Sequence, residues 1–268
     1  MKRNAIVRII LYSFLALALT GVLISGIVAE GFTFGIDINI GGTTVEDELS
    51  LEASQIKNIE IDWAAGAVEI RTADTDHITI HEVRSEKANT KMTYKVSGST
   101  LQLHYGNAKI SIGFGNGSVA SKDLIITVPK NWVCEELEID GAALDIDIQN
   151  LNVQKLNLDG AACSMNFIGS LDKIDIDGAS ADIKLTCSNR ISAINVDGAS
   201  CDLNVILPKD CGFLVEMDGL SCSFYSDLDY SRDSGSYSFG DKHCKISVDG
   251  LSCDVSIEEN PVWPIEGN

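Results

Sequence analysis

Along most of this chain apolar residues alternate with polar ones, and one phrase of that alternation returns six times. The copies occupy residues 137–149, 156–168, 174–186, 194–206, 215–227 and 246–258. Each opens on two alternating apolar residues, such as Leu137 and Ile139 or Ile246 and Val248. It turns at an Asp-Gly pair and resumes with a second alternating set, such as Leu144, Ile146 and Ile148. Period two with β-branched enrichment predicts strands with one buried face, and the Asp-Gly cluster predicts a turn between them. The repeat aspartates, Asp140, Asp159, Asp177, Asp197, Asp218 and Asp249, lie 19, 18, 20, 21 and 31 residues apart. Self-similarity at about 20 residues is the mark of a stacked, quasi-one-dimensional architecture.

Asp-Gly between alternating runs is also a hairpin signal, so an antiparallel sandwich competes. The constant phase of the copies favours stacking. One copy cannot bury its apolar face alone, whereas copies about 4.8 Å apart build a continuous core. The pattern predicts an all-β protein with a parallel β-solenoid over 134–258. Upstream, 55–133 holds a different β segment, with runs at Ile59/Ile61, Val68/Ile70 and Leu124/Ile126/Val128. Within it Asp62-Trp63-Ala64-Ala65-Gly66 reads as a degenerate first copy. Gly-Phe-Gly-Asn-Gly at 113–117 is a flexible turn, since no helical pattern follows it as a dinucleotide loop requires.

The first thirty residues follow other rules. Lys2, Arg3 and Arg8 precede residues 9–29, which hold no charge and are long enough to cross a hydrocarbon core of about 30 Å. Basic residues before this run, and Glu30 and Asp37 after it, place residues 1–8 in the cytoplasm and the rest outside. A cleaved signal peptide is the alternative, but the run exceeds a usual signal core and Ile27-Val28-Ala29 is a mediocre cleavage site. The expectation is a single-pass transmembrane helix, a juxtamembrane linker at 30–54 and a tail at 259–268 whose Trp263 covers the last rung.

Charge narrows the partners. All 39 acidic residues, but only 17 of the 20 Lys and Arg, follow the apolar run, so the exported part carries a net charge of −22. That repels nucleic acid and anionic lipid. No cofactor is expected. Stacking would file the six repeat aspartates along one edge, each adjacent pair repelling by roughly 0.9 kcal/mol in water. Turn N–H groups or cations must offset this. Calcium is the metal such oxygens would take, although the spacing matches neither an EF-hand loop nor a nine-residue calcium repeat. Two neighbouring columns are diluted by Asn and Ser, which can form hydrogen-bonded ladders.

Cys163, Cys201, Cys222 and Cys253 each sit four residues after a repeat Asp, where other copies have Leu144 and Ala181. They read as small apolar fillers of an inward column, reduced and buried. Neighbours at rung spacing fall inside the disulfide range of roughly 4.4–6.8 Å, so Cys201–Cys222 or Cys222–Cys253 could bond. Cys134, Cys187, Cys211 and Cys244 lie near rung ends without obvious partners, and no Cys-x-x-Cys pair suggests zinc. His77, His81, His104 and His243 are scattered, and no nucleophile or zincin motif is present, so the chain does not read as an enzyme. The long last spacing carries a Ser- and Gly-rich insertion at 229–242. Its Tyr230, Arg232, Tyr237 and Phe239 are candidates for an interaction loop toward a glycan or protein of the envelope.

The run 56–80, the strand ending in proline at 124–129 and the phrase Ile-Asp-Ile-Asp-Gly-Ala-Ser-Ala-Asp-Ile at 174–183 resemble a bacterial putative-adhesin family of β-strand-repeat domains of unknown function. The resemblance spans about 55–258 and implies a right-handed β-solenoid at a Gram-positive cell surface, in some members linked to envelope stress. It implies no catalytic residue. The expected function is a membrane-anchored extracytoplasmic binding, adhesion or scaffolding module. A component of an envelope-stress response is one alternative, and a polysaccharide-active β-helix enzyme working through residues such as Asp182 is another.

Overall fold

The computed structural model describes residues 33–37, 43–44, 48–84, 91–106, 109–113 and 121–260. The expected transmembrane helix at 9–29, the tip of the 113–117 turn and Trp263 lie outside the described residues. No helix among the described residues is long and apolar enough to cross a membrane. The chain divides into two units. In the smaller, β1 (Thr33–Asp37) and β8 (Lys109–Gly113) form a two-stranded sheet.

The larger unit is built on parallel rungs. The strand β4 (Asn58–Ala73) is the first, and β10 (Val133–Cys187) runs unbroken through the next three copies. The rungs β11 (Ala193–Leu207), β12 (Phe213–Ser226) and β15 (Cys244–Glu259) complete the stack. Every copy keeps one register: Asp140 pairs with Asp62, Asp177 with Asp197, and Asp197 with Asp249. Asp62–Gly66 therefore is a true copy, in which Trp63 takes the place of the repeat glycine.

The order of the stack is not the order of the chain. β15 pairs with β11 on one side and β12 on the other, so the last copy is inserted between the fourth and fifth. Sequence spacing cannot reveal this, because all copies carry the same phrase and any of them fits either seat. The insertion overturns one expected disulfide: Cys253 lies between Cys201 and Cys222, so those two are not neighbours. All eight cysteines are free thiols.

The repeat glycines explain how closely the rungs approach at the corner. A Cβ on Gly178, Gly198, Gly250 or Gly219 would lie 2.5, 2.6, 2.4 or 2.1 Å from the carbonyl oxygen of the glycine in the adjoining rung. None of these four has a positive φ. The Asp-Gly corner thus selects glycine for close rung-to-rung approach and not for a positive φ.

Inside the stack lie files of buried residues such as Ile59, Leu137, Leu156, Ile174, Ile194 and Ile246, each no more than 1% exposed. Between rungs, outward Asn and Ser residues bond to carboxylates: Asn166 Nδ2 donates to Asp147 at 2.8 Å, and Asn195 Nδ2 to Asp175 at 2.6 Å. The Asn195–Asp175 bond lies in an expected column, as does that of Ser223 to Asp254, whereas Asn166–Asp147 forms a third column.

Below the first rung the stack divides. The opening half of β4 pairs with β7 (Thr100–His104), followed by β6 (Thr93–Ser97) and β2 (Thr43–Thr44). Its closing half pairs with β9 (Lys122–Pro129), followed by β5 (His77–Arg84) and β3 (Glu48–Glu52). Residues 48–52, expected to belong to the linker, are a strand of this body, with Leu49 and Leu51 packed on the core.

Where the two sheets part, Trp63, Tyr105 and Lys122 fill the gap. The Lys122 side chain is fully buried, its Nζ 2.5 Å from Glu82 Oε1 and 3.9 Å from the centre of the Tyr105 ring. Trp63 donates its indole N–H to the Lys122 carbonyl at 2.7 Å. Burial pulls the Lys122 pKa down, against the opposing pull of Glu82. Nothing in the sequence marks this lysine, which opens an ordinary alternating strand.

At the other end the 229–242 insertion forms a hairpin of β13 (Ser231–Asp233) and β14 (Ser236–Phe239), and β14 pairs antiparallel with residues 213–215 of β12. The remaining edge of β12, residues 216–226, carries no further strand among the described residues.

Candidate functional site

The corner of each rung but the last two is followed by two small residues, and stacking turns them into a stripe. Ala64, Ala142, Ala161, Ala179 and Ala199 form one file, which ends in Leu251 and Leu220 on the last two rungs. Ala65, Ala143, Ala162, Ser180, Ser200 and Ser252 line the next and form one side of an open groove of about 880 Å³. Its floor is Gly66, Leu144, Cys163, Ala181 and Cys201, and its far side is Ala67, Asp145, Ser164, Asp182, Asp202 and Asp254. The inserted last copy matters here. It sets Asp182, Asp202 and Asp254 on three consecutive rungs, where chain order would have put Ser223 among them. The small residues are plain in the aligned copies. Their meaning is not, because a groove exists only once neighbouring files acquire unequal heights.

Beyond the small stripe stand the repeat aspartates, in the order Asp62, Asp140, Asp159, Asp177, Asp197, Asp249 and Asp218. Asp140, Asp159 and Asp177 are half-buried, whereas Asp197, Asp218 and Asp249 are exposed. Burial, together with Glu138, Asp159, Asp62 and Glu60 around it, pushes the Asp140 carboxyl up to about 7. A proton-bearing carboxyl beside ionised ones is a glycosidase arrangement only where a sugar can reach both. Asp140 lines no part of the groove. Among the described residues no three His, Cys, Asp or Glu side chains converge as metal ligands. The calcium candidates are therefore a file, one carboxylate per rung, with no cage.

In the candidate interaction loop Tyr237 and Phe239 are half-buried, whereas Tyr230 and Arg232 are exposed. Tyr237 stacks on Phe224 of β12 with ring centres 4.4 Å apart, Tyr230 meets Phe224 edge-on at 5.0 Å, and Phe239 lies 5.9 Å from the buried Phe213. Arg232 lies over the Tyr237 ring at 5.1 Å. These side chains cover the open end of the core, the task that the sequence suggested for Trp263. A shallow hollow of about 560 Å³ remains beside Asp227, Asp229 and Tyr230. His77 is committed elsewhere, with ring nitrogens 3.0 Å from Glu52 and 2.5 Å from Asp76.

Solved structures are similar to this chain. A putative cell adhesion protein from Clostridium sporogenes is 12% identical, with a TM-score of 0.50 over 80% of this chain and 99% of that one. A putative adhesin from Bacteroides fragilis, 12% identical, gives 0.36 over 87% and 98%. A putative lipid binding protein from Parabacteroides distasonis, 14% identical, gives 0.28 over 87% and 97%. No curated protein matches the chain. The profile of the Toastrack family, DUF4097, matches residues 56–207, from the approach to the first rung to the end of β11, and the chain belongs to that family.

Proposed function

We propose that this chain is a non-catalytic binding module on the outer face of a bacterial membrane, held there by residues 9–29 and engaging an extended, amine-bearing envelope glycan. The observation that carries this reading is the groove: six rungs of small residues bordered by Asp145, Asp182, Asp202 and Asp254, open along its length. Small side chains let a polymer lie close to the backbone, and carboxylates at rung spacing of about 4.8 Å offer repeated partners to cationic groups. A net charge of −22 outside the apolar run draws the same class of ligand from a distance. The carboxylates stand one to a rung along an open groove, an arrangement suited to retaining a polymer.

Co-sedimentation of the full chain with insoluble glycans tests the reading. Polyglucosamine should retain the protein, its acetylated counterpart and a polyuronate should not, and salt should release it. The combined variant Asp182→Asn, Asp202→Asn and Asp254→Asn should lose most of the retention. Equal retention by variant and parent removes the groove from the argument, and failure of every glycan removes the reading itself.

A further inference from the structure

The thiol file at the free end of the stack sets Cys201, Cys253 and Cys222 on three adjacent rungs. Cys222 of β12 and Cys253 of β15 are register partners in adjacent parallel rungs, and Cys201 is the partner of Cys253 on its far side. Adjacent rungs stand about 4.8 Å apart, inside the Cα range of a disulfide, roughly 4.4–6.8 Å. Cys222 leans toward the right neighbour: its thiol donates to the Gly250 carbonyl at 3.9 Å, on the rung that carries Cys253. Of the eight cysteines Cys222 alone is not buried, because among the described residues its rung is the last and residues 216–226 pair with no strand beyond them.

We propose that Cys222 and Cys253 form a thiol–disulfide exchange site, with Cys222 as the entering thiol, Cys253 as the resolving thiol and a disulfide-bearing small molecule or protein as the oxidant. The Cys222 thiolate attacks one sulfur of the donor, forming a mixed disulfide and releasing the first half of the donor as a thiol. Cys253 then loses its proton and attacks the Cys222 sulfur, which closes the Cys222–Cys253 bond and releases the second half. Two protein thiols give up two protons and two electrons, and the donor takes up both pairs as two thiols.

Burial supports this order of events. It pushes Cys253 up to about 11 and Cys201 up to about 12, so neither supplies much thiolate to an external donor at neutral pH. Proximity offsets the same handicap in the second step, which is intramolecular. The product staples the terminal rung to β15, its neighbour across the parallel ladder. This assignment does not rest on the reading of the groove.

The experiment exposes the folded full chain to excess hydroxyethyl disulfide, blocks remaining thiols with an alkylating agent and maps the peptides. The expected product joins Cys222 to Cys253 and leaves the other six alkylatable after denaturation. Cys253→Ala should stop at a stable reagent adduct on Cys222, and Cys222→Ala should not react while folded. Both variants keep a residue that this column already accepts, since Ala181 occupies it in the fourth rung. A lasting adduct on Cys222 in the parent, a bond between any other pair, or Cys222→Ala reacting at the parent rate would overturn the assignment.

Discussion

Asp140 stands where a carboxylate is hardest to ionise in this fold. It is half-buried at a corner, with Glu138, Asp159, Asp62 and Glu60 close by, and burial with that negative ring raises its pKa to about 7. An unfolded aspartate titrates near 3.9. Below about pH 4 both states hold the proton and the residue costs nothing. Between about 4 and 7 the unfolded chain ionises first, so stability falls as pH rises, and above about 7 the loss is complete. Three units at about 1.4 kcal/mol each set a ceiling of about 4 kcal/mol. Asp140→Asn, which mimics the protonated form, should match the parent in acid and exceed it increasingly up to neutrality. Thermal unfolding of both across that range is the measurement, and parallel curves would show that the carboxyl titrates like an exposed one. The paired comparison is needed because Asp241 works in the opposite sense. The Arg190 guanidinium beside it holds its pKa down, so its contribution is lost on acidification.

The two ends of the stack are closed by different elements and fail in different ways. At the β4 end the closure is electrostatic. Lys122 is fully buried against Glu82, which also meets Arg84 at 3.3 Å and accepts the Met92 N–H at 3.2 Å. Removing one partner of such a pair strands the other charge, so Lys122→Met should cost about 3 kcal/mol. The double variant with Glu82→Gln should cost clearly less than the two single changes added, because the stranded charge is gone too. Denaturant titration of the three variants reads this out, and simple additivity would show that the two groups act separately. At the β12 end the closure is aromatic. Tyr237→Ala removes the ring stacked on Phe224 and should cost about 2 kcal/mol, with faster proteolysis between β12 and β15. Were the hairpin a free ligand-binding loop, stability would not change.

At the scale of the whole molecule, the copies in the sequence make the stack legible and leave its order hidden. Alternation fixed which residues face inward, as Leu137, Leu156 and Ile174 do, and the constant phase fixed the register. Order depends on which copy wins each seat, and β12 and β15 offer nearly the same inward residues: Val215, Met217 and Cys222 against Ile246, Val248 and Cys253. The groove was hidden for the same reason, because Asp254 joins Asp202 only through the insertion. What separates the candidates is the hairpin, which joins β14 to residues 213–215 of β12 and so makes β12 the terminal rung. If the seats are otherwise equivalent, a chain ending at residue 243 should let β12 move down one rung onto β11. Stability in such stacks comes from nearest neighbours, so the exposed β11 edge would favour the move. In that chain Cys222 becomes the register partner of Cys201, from which Cys253 separates it in the full protein. Oxidation should then give a Cys201–Cys222 disulfide in the shortened chain and none in the parent. Absence of that bond, with β12 amides exchanging freely, would mean that β12 holds its place only while β15 lies beneath it.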